Sequence, residues 1–313
     1  MPASGLVKGE RIKRKVILHG PSTLTVSLPA KWVKSHNVKK GDELNVEEIE
    51  AFLRVYPGEE YLLTKKTDVD FSDLDKETIR VMLSVLYESG YDELLVSFKD
   101  PKTAHIVQEV ISPALLGYET VEQRSNACIV KTVTGDHFSE LESLIRRAFL
   151  VTLSLADNSL AEIKKGNRGQ LNELLVLEKT NNKLTNYCHR LINKQPYKDK
   201  EAIYKYIIVW IFESICDDYR DLIKLILDKK NLRISPTFLE VYEVINNLIK
   251  QYYDLFYKYS DEGFMSLRNS ILELKRNFLK KRFNDQECEL RYYLFSILNR
   301  LYDCLGSTIG MHH

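Results

Sequence analysis

Apolar positions change their spacing twice along the chain, and the changes divide it into three parts. From residue 16 to residue 63 the spacing is two. Leu24, Val26 and Leu28 alternate with Thr23, Thr25 and Ser27, the signature of a half-buried strand over 23–28. A partner strand at 16–18 precedes it across the turn cluster His19-Gly20-Pro21-Ser22. Pro29 cannot donate within a strand but suits a helix start, and the short helix that follows puts Trp32, Val33 and His36 on one side. Asn37 can close it in a left-handed conformation. A turn at 39–42 leads to a third strand carrying Leu44 and Val46, and 52–56 and 61–63 flank Pro57-Gly58 as a last hairpin. So few apolar positions in a module spanning 8–64 make a thin core, which a second copy of the module would complete.

Between residues 66 and 135 helix and strand spacings alternate, which predicts a small α/β domain. Ile79, Met82, Leu83 and Leu86 place a helix over 74–87, with Gly90 as its cap. A strand at 93–98, a helix at 101–111 and paired strands at 117–123 and 127–133 follow. No glycine-rich phosphate loop and no nucleophile elbow is present. The domain reads as a spacer or a ligand-sensing layer, with 112–118 the one stretch suited to a small-molecule contact.

From residue 137 to 313 the spacing is helical throughout. Six helices are predicted, at about 138–165, 168–194, 198–229, 235–259, 262–282 and 285–309, with Ser235-Pro236 as N-cap and first residue of the fourth. Glu213, Asp217 and Ile223 correspond to Asn299, Asp303 and Ile309 at one constant offset of 86 residues, and Ile211 to Ile297 likewise. That correspondence predicts two copies of a three-helix unit, 137–230 and 234–313.

Charge changes the picture more than composition does. The chain carries a net +1, but residues 8–40 hold nine Lys or Arg against the single acid Glu10, so +8 sits there and −7 elsewhere. This asymmetry points to a polyanion such as DNA; the plainer alternative is that the bases keep a small module soluble. Lys13, Arg14, Lys15 and Lys31 are the candidate phosphate contacts. The five cysteines are scattered without metal-ligand spacing, which reads as reduced, buried thiols in a cytosol. No stretch is apolar enough to span a membrane, so no membrane insertion is expected. No Glu-x-x-His pair supports a di-iron site, and the histidines form no triad, so the chain is read as a non-enzyme.

The run from Arg14-Lys15 through Ser22-Thr23, Val26-Ser27-Leu28-Pro29, Trp32 and Lys40-Gly41-Asp42 resembles the AbrB/MazE/SpoVT swapped-hairpin family. The resemblance implies two chains interleaved into one small β-barrel that presents basic side chains to DNA. The helical part resembles the PhoU family of phosphate-uptake regulators, through Glu213-x-x-x-Asp217 and its degenerate echoes Glu178-x-x-x-Asn182, Glu273-x-x-x-Asn277 and Asn299-x-x-x-Asp303. It implies a duplicated three-helix bundle whose carboxylates, here Glu178, Glu213, Asp217 and Asp303, hold a multivalent metal ion such as iron, zinc or magnesium. The alternative is that these acids pair with Arg or Lys on solvated helix faces. Together the modules resemble archaeal PhoU-type regulators: a multidomain α+β, cytoplasmic, homodimeric regulator of phosphate uptake that binds DNA and receives a signal from a transporter or sensor protein. The rival reading is an adaptor that dimerises through the N-terminal module and docks on a transporter or signalling protein without touching DNA.

Overall fold

The computed structural model describes residues 12–49, 52–57, 64–195, 201–229, 232–278 and 280–313. The chain separates into two units between residues 63 and 64.

In the first unit, β1 (Ile17–His19) pairs antiparallel with β2 (Thr23–Thr25). β2 stops short of the predicted 28 because β1 offers only three residues to pair with. Helix α1 (Ala30–Ser35) starts after Pro29 and ends at Asn37 in the left-handed conformation, φ 53°. The next turn is held by the Lys39 amide donating to Asp42 Oδ2 at 2.7 Å. β3 (Leu44–Ile49) then pairs with β4 (Phe52–Pro57), Val46 opposite Val55. This is a six-residue ladder back onto β3; the hairpin expected between 52–56 and 61–63 lies in part outside the described residues. The two ladders remain separate two-stranded sheets, and no closed barrel forms among the described residues of one copy. None of the side chains described in this unit is buried.

The second unit opens with β5 (Lys65–Asp70), α2 (Lys76–Glu88), β6 (Tyr91–Ser97), α3 (Lys102–Ala114), β7 (Tyr118–Gln123) and β8 (Ala127–Thr132). The sheet order is β5-β6-β8-β7, with β5 parallel to β6 and the other pairs antiparallel. Sequence reasoning missed β5. It is an edge strand whose only aliphatic residue is Val69, so no alternation marks it. Asp75 caps α2 by accepting from the Thr78 amide at 2.7 Å, and Gly90 closes it at φ 82°. Ile79, Leu83, Tyr87, Ala104, Val107 and Ile111 of the two helices cover Leu94, Val96, Cys128 and Val130 of the sheet.

The helices follow: α4 (Leu141–Lys165), α5 (Arg168–Glu173), α6 (Leu175–Lys194), α7 (Ala202–Asp228), α8 (Pro236–Tyr257), α9 (Asp261–Phe278) and α10 (Cys288–His312). One helix was expected over 168–194; it breaks at Leu174 without Gly or Pro to announce it. The Arg168 guanidinium donates to the Ile226 carbonyl at 3.0 Å, which fastens the short α5 to the end of α7. Ser235 caps α8, and Pro236 is its first residue, as expected. Phe149 sits at the centre, its ring against Phe212, Tyr252, Tyr253, Phe256 and Tyr257. Two ion pairs cross from α4 to α8, Lys164–Glu243 at 2.7 Å and Lys250–Asp157 at 2.8 Å. α10 runs antiparallel to α7, with Gly310 against the Tyr204 ring and Ser296 donating to Asp218 at 2.8 Å. Among the described residues no helix is long and apolar enough to cross a membrane.

The α/β layer and the helices, read from sequence as domains 66–135 and 137–313, lie in one compact unit. Four charged side chains join them. Arg190 of α6 reaches Asp92 and Asp136, and Lys194 reaches the same two acids at 2.5 Å each. Four of the cysteines are buried as expected, but Cys288, at the first turn of α10, is exposed.

Candidate functional site

Lys13, Arg14 and Lys15 lie in the extended segment before β1, and Lys31 lies in the first turn of α1; all four are exposed. Lys34, Lys39 and Lys40 are exposed as well. Residues 12–40 of the first unit therefore offer exposed bases to solvent, the kind of side chain that meets phosphate oxygens, while residues 41–63 of the same unit carry seven acids against Arg54. The same unit exposes its apolar side chains. Leu24 and Leu53 are each 68 % exposed, and Val16, Leu18 and Val46 are close behind.

A second cluster forms where α2, α6 and α7 meet. Glu178 and Asp217 both accept from Arg220 Nη1, at 2.7 and 2.5 Å, while Nε and Nη2 of the same guanidinium hold Asp221. Asn182 donates its amide to Glu178 at 2.7 Å. Glu213 sits one turn before Asp217 and makes no hydrogen bond or ion pair among the described residues. Burial, then the negative charges of Glu88, Asp217 and Glu178, push its pKa up to about 8. Burial raises Asp217 to about 6 despite Arg220. Glu88 of α2 is raised to about 7, again by burial, with the Tyr206 hydroxyl pulling the other way. His189 is driven down to about 4 by burial, so it is neutral.

Of the four residues expected to form a metal site, Glu178, Glu213 and Asp217 are therefore neighbours, whereas Asp303 lies on the exposed face of α10. Glu178 and Asp217 are satisfied by an arginine. Among the described residues no group of three or more His, Cys, Asp or Glu is arranged to hold a metal ion. Sequence reasoning missed Arg220, Glu88 and His189. Arg220 was findable, since it stands three residues after Asp217 on one helix face. Glu88 and His189 come from elements far apart in sequence, and no local pattern joins them.

Residues 19–61 match the family described as antidote-toxin recognition MazE, a bacterial antitoxin. The matched family is regulatory and is not a family of enzymes. Lys31 lies inside the match and Lys13, Arg14 and Lys15 just before it. The MazE-like segment contains β2, α1 and the β3–β4 hairpin and begins at the last residue of β1, so it falls within the first unit. No curated protein and no solved structure matches the chain.

Proposed function

We propose that this protein is a homodimeric, DNA-binding transcriptional regulator of phosphate uptake, acting in the cytoplasm. In this reading the MazE-like unit binds DNA and a PhoU-like helical bundle receives the signal. The observation that carries the DNA-binding half is the character of the first unit: a MazE-like segment in which none of the described side chains is buried, with exposed leucines and valines and several exposed bases. Two-stranded hairpins are marginal alone, so interleaving two copies would give those apolar faces a core and set the bases side by side.

A duplicated bundle is supported by contacts that exchange under the 86-residue offset. Asp157 and Glu243 occupy equivalent positions, and so do Lys164 and Lys250. The pairs Lys164–Glu243 and Lys250–Asp157 are thus one interaction seen twice, as a twofold relation between copies requires. The α7–α10 contacts behave alike. Gly310 is the equivalent of Lys224 and Ser296 of Trp210, so the contacts of Tyr204 and Asp218 both centre on Ser214. In such a bundle a multivalent cation at Glu178, Glu213 and Asp217 would have to displace the Arg220 guanidinium.

The test is a mobility-shift titration at rising salt on DNA from upstream of phosphate-transport genes. Affinity should fall steeply with salt, and replacing Lys13, Arg14, Lys15 and Lys31 by Ala should flatten the dependence by roughly one unit of slope per base removed. Absence of binding at low salt would defeat the DNA-binding claim. The adaptor reading draws support from an apolar stripe on α7, Ile203, Ile207 and Trp210, left exposed at helical spacing. It predicts that the fourfold alanine variant keeps all of its partners, including a phosphate transporter or sensor protein.

A further inference from the structure

The junction of α2, α6 and α7 gathers hydrogen-bond acceptors without matching donors. His189 is 1 % exposed. Its Nε2 faces the Tyr206 carbonyl at 3.3 Å, and only an N–H can satisfy that contact. The proton therefore sits on Nε2, and Nδ1 carries a lone pair. That Nδ1 is buried without a hydrogen-bond partner, 3.7 Å from Glu88 Oε2. The Tyr206 hydroxyl donates to the Glu88 carboxylate at a long 3.5 Å, while the Asn193 amide donates to the Glu88 backbone carbonyl at 2.9 Å. Glu213, close enough to feel the charge of Glu88, has no donor among the described residues. Arg80, whose positive charge Glu213 feels, spends its guanidinium on Glu77. A carboxyl group and an imidazole lone pair thus face one another with a single weak donor beside them, and the Glu213 carboxyl lies near enough to feel the first, an arrangement that is costly unless something supplies N–H groups and positive charge.

We propose that Glu88, His189 and Glu213 form a binding site for a primary ammonium group, carried by a small aliphatic diamine. An ammonium brings three N–H donors and one charge, matching three acceptors. A guanidinium fork suits coplanar carboxylate oxygens and fits this set less well. The described residues provide no group of three ligands for a metal ion. Ile207 and Trp210, exposed on α7 beside Tyr206 and Glu213, give an aliphatic chain an apolar surface to lie on. Asp217, one helical turn or about 6 Å beyond Glu213, offers a second carboxylate for the far ammonium; among the described residues its donor is Arg220, which it shares with Glu178 and Asp221. The site lies within the second unit and does not depend on DNA binding.

Calorimetric titration of the full-length protein with putrescine tests this, with tetramethylammonium, magnesium and sodium chloride at matched ionic strength as comparators. Putrescine should bind with Kd at or below about 1 mM, and tetramethylammonium, which has no N–H, should not. Glu213→Gln and Glu88→Gln should each weaken putrescine binding at least about tenfold while leaving the circular dichroism spectrum unchanged. Lys13→Ala should leave it intact, which separates this site from the DNA-binding reading. Equal binding of tetramethylammonium, binding of magnesium but not putrescine, undiminished binding by both glutamine variants, or no putrescine binding would each overturn the proposal.

Discussion

Arg190 is fully buried, yet all its donors are used. Nε bonds Asp136, Nη1 the carbonyls of Tyr87 and Tyr91, and Nη2 Asp92 and the Thr132 hydroxyl. Its guanidinium also lies over the rings of Tyr87 and Tyr118. Arg190→Met leaves Asp92 and Asp136 with Lys194 as their one remaining cation, and urea denaturation should show a loss of about 3–5 kcal/mol. Nothing in the sequence singles this arginine out, since its partners come from four separate segments. Glu213 presents the opposite case, a carboxylate short of partners. Its folded pKa lies above its unfolded one, so the folded state keeps the proton while the unfolded chain releases it. Stability should therefore decline as pH rises from about 4.5 towards about 8, with Glu88 adding to the same trend below about 7. Thermal melts across that range should be flatter for Glu213→Gln than for the parent. Identical profiles would show that the charge is not felt.

Among the elements, those with a strong period were legible from sequence. α4, α7, α8 and α10 fall within a few residues of their expected spans, because each has an apolar stripe, to which α4 adds a closing glycine and α8 a serine cap. The elements that went unseen lack such a stripe. β5 carries a single aliphatic residue, Val69, and the division of α5 from α6 coincides with Arg168 reaching across to α7. The repeat was visible in sequence through Glu213 and Asp303, yet the pairs that reveal its symmetry, at Asp157 and Lys164, are ordinary surface residues. Such exposed pairs contribute little, so Asp157→Ala should cost less than about 1 kcal/mol. Phe149, packed where α4, α7 and α8 meet, should cost about 3–5 kcal/mol when truncated to Ala, measured by chemical denaturation.

For the whole molecule, the proposed homodimer would give the first unit an interior built from two chains. Val46 and Leu53, both exposed in a single copy, are placed to be covered by a second. Val46→Lys with Leu53→Lys should convert the dimer to a monomer in light scattering and release DNA with it. A parent protein that is monomeric with a folded N-terminal unit would refute the interleaved dimer. The basic charge of residues 8–40 then counts twice, once from each chain, over a small surface.

The second unit carries a different lesson through the tetrad of Arg190, Lys194, Asp92 and Asp136. Its cations come from α6 and one of its acids from the sheet, so neither half keeps its charges matched without the other. Recombination that spliced this sheet onto a foreign helical bundle would strand an ionised aspartate in one product and a buried arginine in the other. The two halves are therefore expected to have travelled through evolution as a single inheritable block, whatever their separate ancestries.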